Sequence, residues 1–244
     1  MKSPAYIADH IRRVIQNGAS APHAEEVQRF FKEEVASRGW HTAELRKVAY
    51  RFHRVLLKEH GLDYLVSVAD QLFQGRVLEE RGMAVMLLEK SVPQFGPKQF
   101  LLFDEWLDRV SSWADHDGLV HYLISPMIAD DPSRLPVVFQ WARSPNRWRR
   151  RAASVALIRG ARRRLFRLEI ARLSEMLLGE DDDMVRKGLG WLLREHAKAD
   201  PASAVKLLMK LRARAPRLVL RTACETLDAK TRSKVLAKSA SGTL

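Results

Sequence analysis

Trp113 and Asp117 stand four residues apart in Ser112-Trp-Ala-Asp-His-Asp-Gly-Leu-Val120. On a helix, that spacing sets an indole and a carboxylate one turn apart on a single face. Together they form a half-apolar, anionic niche. The segment also reads as plain helix architecture, with Ser112 as the N-cap and Asp115 complementing the positive helix start. A second cluster is Ser144-Pro-Asn-Arg-Trp-Arg-Arg-Arg151. Pro145 and Asn146 suit a helix start, whose free N–H groups bind phosphate. Arg147, Arg149, Arg150 and Arg151 crowd around Trp148, which favours a polyanion nearby. A third cluster runs from Val185 to Pro201 and holds Lys187, Trp191 and Arg194 on neighbouring turns. Gly188 and Gly190 lie inside it, and each costs a helix about 1 kcal/mol against Ala. Two such residues imply close packing or the close approach of a ligand. A Trp at helical spacing reads first as core, and so does Trp191.

The bulk charge points the same way. Forty-two Lys and Arg against twenty-nine Asp and Glu leave +13 over 244 residues. That surplus favours a polyanionic partner, nucleic acid before an acidic membrane. From Arg143 to Arg172 there are eleven arginines and one acid, Glu169. Arginine grips phosphate with a planar fork that lysine lacks. A second basic stretch covers Lys206 to Lys238, and the first third is nearly balanced. One cysteine, Cys224, excludes an internal disulfide and a cysteine-only zinc site. There is no phosphate loop, dinucleotide fingerprint, nucleophile elbow or metal-binding helix motif. The eight histidines show no ligand-like pairing. No metal and no cofactor is expected. The absence of a long apolar run and of a signal-peptide core in MKSPAYIADHIRR predicts a soluble, cytoplasmic protein without a membrane partner.

Helices must position these clusters. Leu62, Leu65, Val66, Ala69, Leu72 and Phe73 recur at threes and fours, and so do Val27, Phe30, Phe31 and Val35. No strand alternation bounded by hairpin turns is visible. Gly39, Gly61, Pro93 to Pro97, Pro132, Pro145, Pro201 and Pro216 fall between the periodic segments. The reading is an all-α chain of about a dozen helices in a single domain, with the last ~10 residues a disordered tail.

A faint repeat organises them. Arg81-Gly-Met-Ala-Val, Arg151-Ala-Ala-Ser-Val and Lys187-Gly-Leu-Gly-Trp each set a cation before small and then bulky apolar residues. Arg221-Thr-Ala-Cys is a poorer copy, and His116 falls in the gap at the same stride of about 35 residues. That period fits one antiparallel helix pair of an α-solenoid, with small residues where helices approach closely. Such a stack would be curved, with a concave basic face.

At the three clusters the chain resembles the AlkD-like family of DNA alkylation repair enzymes. Lys187-Gly-Leu-Gly-Trp191-Leu-Leu-Arg194-Glu-His-Ala-Lys198-Ala-Asp-Pro201 is similar to that family's most specific signature. Asn146-x-Trp148-x-x-Arg151-Ala-Ala resembles its second block, and Trp113 with Asp117 its Trp-x-x-x-Asp pair. Arg29 to Lys32 and Gly39 to Arg46 are looser matches. The resemblance spans about residues 25 to 215.

The resemblance implies HEAT-like repeats and a monofunctional glycosylase that removes N3- and N7-alkylated purines from duplex DNA without a deep base pocket. It implies Asp117 as the catalytic carboxylate, Trp113 and Trp191 against the deoxyribose, and Arg151 on a backbone phosphate. Arg147, Trp148, Arg149, Arg150, Lys187, Arg194 and Phe30 complete the expected DNA contacts, and a monomer is expected. The chemistry is consistent with that assignment. An alkylated purine is cationic, so its glycosidic bond is weak, and a fixed carboxylate stabilises the oxocarbenium that forms and orients water. Aromatic faces favour the same cation. Most enzymes acting on bases flip them into a pocket instead. The family commonly carries a Tyr near the start, where this chain has Phe30, or Phe31. Two other readings use the same scaffold: a non-catalytic binder of damaged DNA, and a scaffold that docks an acidic protein.

Overall fold

The computed structural model describes residues 2–237. The expected tail lies largely outside the described residues. Among the described residues there is no strand, only an isolated bridge between Ala36 and Val77. The chain is all-α, as its periodicity predicts. Its contacts divide it into two compact units, Met1–Leu123 and Ile124–Leu244.

The first unit contains α1 (Pro4–Asn17), α2 (Ala21–Gln28), α3 (Thr42–His60), α4 (Leu62–Phe73), α5 (Leu78–Leu88), α6 (Pro97–Trp106) and α7 (Trp113–Leu119). Ser3 caps α1, its side chain accepting the N–H of Tyr6, and Pro4 opens the first turn. The periodic residues of α4 form the centre of the unit. Leu65, Ala69, Leu72 and Phe73 are wholly buried against α5 and α1. Phe73 stacks on Trp106 with ring centroids 4.1 Å apart, and the indole N–H donates to Asp70 at 2.8 Å. Gly61 separates α3 from α4 at φ 82°, a left-handed value that favours glycine.

The pattern Val27, Phe30, Phe31, Val35 does not continue as a helix. α2 ends at Gln28, because the Gln28 side chain clamps the turn that follows. Its amide donates to the Glu33 carbonyl at 3.0 Å and accepts the Val35 N–H at 3.0 Å. Glu79, at the start of α5, then gathers the next loop. It accepts from the Ser37 hydroxyl and from the N–H groups of Arg38, Gly39 and Trp40. A buried carboxylate satisfied this fully fixes a loop that has no periodic structure of its own.

A π-helical turn, Val120–Ile124, carries the chain onward from α7. Pro126 follows it. Proline has no N–H to donate and excludes the carbonyl four residues back, so the helix widens before it.

The second unit contains α8 (Ser125–Asp130), α9 (Leu135–Trp141), α10 (Arg147–Val155), α11 (Ile158–Arg162), α12 (Arg167–Met176), α13 (Asp183–Ala199), α14 (Pro201–Leu211), α15 (Arg217–Ala223) and α16 (Ala229–Leu236). α13 is its axis and packs on α10, α11, α14 and α15. Asp182 caps it, accepting from the N–H groups of Met184 and Val185.

The 35-residue stride falls on equivalent helices: Arg81 on α5, His116 on α7, Arg151 on α10, Lys187 on α13 and Arg221 on α15. Two of these cations tie their helix to a later helix of this series. Arg81 donates to Ser111 and Asp115 at the start of α7, and Arg151 donates to the Met184 carbonyl at the start of α13.

The two helical glycines answer close packing. A Cβ on Gly188 would lie 3.1 Å from Cγ of Arg151, and one on Gly190 would lie 2.7 Å from Cβ of Thr222. Gly82 in α5 differs, since its nearest neighbour would be Leu45 Cδ2 at 3.7 Å, an ordinary contact. Helix propensity favours Ala over Gly by about 1 kcal/mol at both sites. Overpacking, about 1–3 kcal/mol, opposes it only at Gly190. Urea unfolding should therefore show Gly82→Ala stabilised and Gly190→Ala destabilised.

His196 on α13 is 1% exposed, and burial lowers its pKa from the ordinary value, with Asp200 opposing and Arg167 adding to that shift. A histidine whose pKa is lowered on folding binds its proton more readily when unfolded. Its contribution to stability is therefore complete above the unfolded pKa, about 6.5, and declines as pH falls below it. Replacing His196 by Leu should flatten the stability–pH curve between about pH 7 and 5, read by thermal unfolding at each pH.

Candidate active site

α7 starts in a closed set of local bonds. Ser112 Oγ accepts the Asp115 N–H at 3.4 Å, and Asp115 Oδ1 accepts the Ser112 N–H at 2.9 Å. Asp115 Oδ2 takes the Ser111 N–H at 3.0 Å and an ion pair from Arg81. The Asp115 side chain is wholly buried. The expected N-cap and acidic first turn are therefore present, and Asp115 is a structural acid.

Asp117 is set apart from it. Two residues along a helix turn a side chain by about 200°, and the Asp117 carboxylate keeps 21% exposure. Its Oδ1 lies 2.7 Å from Nδ1 of His116, a ring with no exposure at all. Trp113, one turn earlier, is half-buried. Its ring lies on Phe31, with centroids 5.0 Å and planes 16° apart. Phe30 turns to solvent and is 75% exposed. Of the two phenylalanines it is Phe31 that supplies the stacking surface. The Gln28 clamp decides this, because it takes both residues off the helical phase that their spacing suggests.

The remaining expected residues lie in the second unit. Asn146 caps α10 by accepting the Trp148 N–H at 2.9 Å. Trp148 is buried at 7% exposure, with the Arg147 guanidinium 4.7 Å from its ring centroid and 3.6 Å from Asp182. Arg150 forks onto Glu180, with Nε 2.6 Å from Oε2 and Nη2 3.3 Å from Oε1, and also donates to the carbonyls of Ser144 and Pro145. Burial alone would raise the Glu180 pKa. The hydrogen bond from Arg150 and the backbone N–H groups of Asp182 and Asp181 outweigh it and hold the carboxyl below its usual range.

Arg151 is buried, its stem against Gly188 and its guanidinium on the Met184 carbonyl. Lys187 is exposed, Arg149 and Trp191 are half-buried, and Arg194 pairs with Glu225. Part of this arginine cluster is therefore balanced from within the chain. Glu180 and Asp182 arrive from the turn before α13 and balance Arg150 and Arg147. Farther along, Arg162 pairs with Glu195, Arg163 with Asp130 and Arg167 with Asp200.

The family model for "DNA alkylation repair enzyme" matches residues 11–227. The chain belongs to this family. Three solved structures share its fold. A "Predicted DNA alkylation repair enzyme from Enterococcus faecalis" superposes with a TM-score of 0.77 at 16% identity, covering 86% of this chain and 97% of its own. AlkD2 from Streptococcus mutans gives 0.57 at 21% identity, covering 78% and 92%. The smu.31 protein from Streptococcus mutans UA159 gives 0.56 at 21%, covering 77% and 98%. No curated protein matches. The expected helical-repeat fold thus has solved counterparts in the DNA alkylation repair family.

Two features of the site escaped the sequence. His116 has no ligand-like spacing, and side chains at adjacent helix positions normally diverge by about 100°. The acids that balance the arginines lie about 30 residues away along the chain, a separation readable only with the repeat register in hand.

The two acids of α7 should respond oppositely to neutralisation. Asp115→Asn strands the buried Arg81 guanidinium and should destabilise by about 3–5 kcal/mol. Asp117→Asn, at a partly exposed carboxylate, should change stability by about 1 kcal/mol or less. Denaturant titration of the two variants compares them directly.

Proposed function

We propose that this member of the family is a DNA glycosylase that removes cationic N3- and N7-alkylated purines from duplex DNA. The observation that carries the reading is the partly exposed Asp117 carboxylate, one turn from Trp113, with one oxygen 2.7 Å from a buried imidazole nitrogen. In the reaction the C1′–N bond breaks and its electron pair leaves with the base, which departs neutral. The sugar becomes an oxocarbenium cation. Asp117 stabilises that charge and orients a water, whose oxygen adds to C1′ and whose proton passes to the carboxylate and then to solvent. The products are the free base and an abasic site.

Trp113, backed by Phe31, offers an aromatic face to the deoxyribose. Trp191, half-buried on α13, offers another aromatic surface to DNA. Exposed Lys187 and part-exposed Arg147 and Arg149 suit phosphate contact. The buried Trp148 and Arg151 suit a supporting part, holding α10 and α13 in place beneath such contacts. Lesions would be read through sugar and backbone, without flipping the base.

Release of 7-methylguanine and 3-methyladenine from methylated duplex DNA, followed by chromatography, tests this. The wild type should release base, and Asp117→Asn should slow release by about 100-fold or more. Unchanged turnover in that variant would sink the mechanism. Binding without any release would leave a non-catalytic DNA binder. Affinity for duplex should fall with salt, and Lys187→Gln should lower the log–log slope by about one.

A further inference from the structure

We infer that the groove between α9 and α12 docks an acidic peptide segment of a partner protein. One bulky apolar side chain of that segment enters the groove, and the carboxylates beside it meet Arg143 and Arg172. The groove lies wholly within the second unit, and the inference is independent of the glycosylase reading.

Three observations lead to it. The first is shape. A cavity of about 490 Å³ opens between the two helices. Leu135, Pro136 and Phe139 line it from α9, and Leu168 lines it from α12. Ile170 and Leu173 form the buried face of α12. At about 100° per residue, Leu168 and Arg172 fall on the opposite side of that helix. Leu168 therefore has no part in the core and stands 82% exposed at the groove. Covering it would remove apolar area from water without disturbing the fold.

The second is charge. The basic stretch from Arg143 to Arg172 is partly answered from within, by Glu180, Glu195, Asp130 and Asp200. Its two ends are not. Arg143 and Arg172 are exposed, line this one groove and meet no carboxylate among the described residues. Both converge on Phe139. The Arg172 guanidinium carbon lies 4.2 Å from the ring centroid, and Arg143 Nη1 donates to the Phe139 carbonyl at 3.4 Å. A guanidinium resting on a ring keeps N–H donors in its own plane for a carboxylate. Two cations held beside an apolar cleft thus select a ligand that is apolar at its centre and acidic on its flanks.

The third separates a peptide from a nucleic acid. Single strands are held by stacking bases on open aromatic faces. Here Phe139 is only 9% exposed and Arg172 covers its ring, so the remaining walls are aliphatic. They suit a buried Leu or Phe side chain better than a stacked base. Glu169 and Gln140 also line the groove. A carboxylate there repels a sugar–phosphate chain, which carries no donor to satisfy it. A peptide backbone brings N–H groups that both side chains can accept.

Fluorescence anisotropy of the full-length protein with three labelled heptapeptides tests this. Each carries Leu, Phe or Trp between two triplets of Asp. At least one should bind with a Kd of about 1–100 μM, and the same peptide with Ser at its centre should bind about 10-fold more weakly. Arg143→Ala and Arg172→Ala should each weaken binding by about 10-fold, the worth of one charged hydrogen bond. Leu168→Ser, at an exposed position, should weaken it by about 5-fold. Lys206→Ala removes an exposed charge elsewhere and should leave it unchanged.

No binding of any of the three peptides at about 1 mM overturns the inference. Equal binding of the Ser-centred peptide, or an equal loss in Lys206→Ala, reduces the contact to unspecific attraction between charges and overturns it too. Displacement of the peptide by duplex DNA, with matching losses of duplex affinity in Arg143→Ala and Arg172→Ala, makes the groove a nucleic-acid surface instead. Leu168→Ser and the Ser-centred peptide decide the matter even if an arginine variant fails to fold.

Discussion

Arg81 reaches from α5 into the first turn of α7, where it meets an Asp115 carboxylate cut off from water. Two buried charges are tolerable only when nearly every donor and acceptor is matched. Here they are: Asp115 also takes the N–H groups of Ser111 and Ser112, and Arg81 also donates to the Gly75 carbonyl and the Ser111 hydroxyl. Such a pair adds little net stability over an apolar one, but it allows few alternatives. Slide or rotate α7 by one residue and a charge is stranded. The phase of α7 is what places Trp113 and Asp117, so the candidate site takes its precision from a repeat-packing contact that touches no substrate.

Asp115 and Asp117 show how environment sorts identical groups. Two residues apart on one helix, one is wholly buried among donors from Arg81, Ser111 and Ser112 and fixes the backbone, while the other keeps 21% exposure one turn from an indole. The arginines of the second unit divide in the same way. Arg150 and Arg151 are bound inward, to Glu180 and to a backbone carbonyl, whereas Lys187 stays exposed. The surplus of +13 is thus carried by fewer groups than the raw arginine density implies. The inward-bound arginines also brace the helices that present exposed Lys187.

Regular features were legible in the sequence because they depend on periods of four and thirty-five residues. The α4 core, the Ser112 cap, the boundary at Gly61 and the cation stride each follow from local rules applied along the chain. The features that failed depend on single side chains acting across a fold. Gln28 closes a turn where apolar spacing ran on, and this gave the stacking role to Phe31 rather than Phe30. Trp148 sits among arginines in sequence yet is buried, because Asn146 caps the helix and Glu180 and Asp182 draw the cations aside. Gly188 and Gly190 were readable as a close approach, but only coordinates could show that Arg151 and Thr222 are what approach.

A stride of about 35 residues lets a position be compared with itself along the chain. Arg81 holds the start of α7, and Arg151 holds the start of α13. Each tie joins a helix to a later one of the series, so the length and charge of arginine serve the packing at both places. At 116 the stride carries a histidine instead, wholly buried, with Nδ1 2.7 Å from the carboxylate of the next residue. The same stride thus carries a long cation where helices are joined end to face and a compact ring where the next residue is an acid, and the side chain rather than the backbone makes the difference.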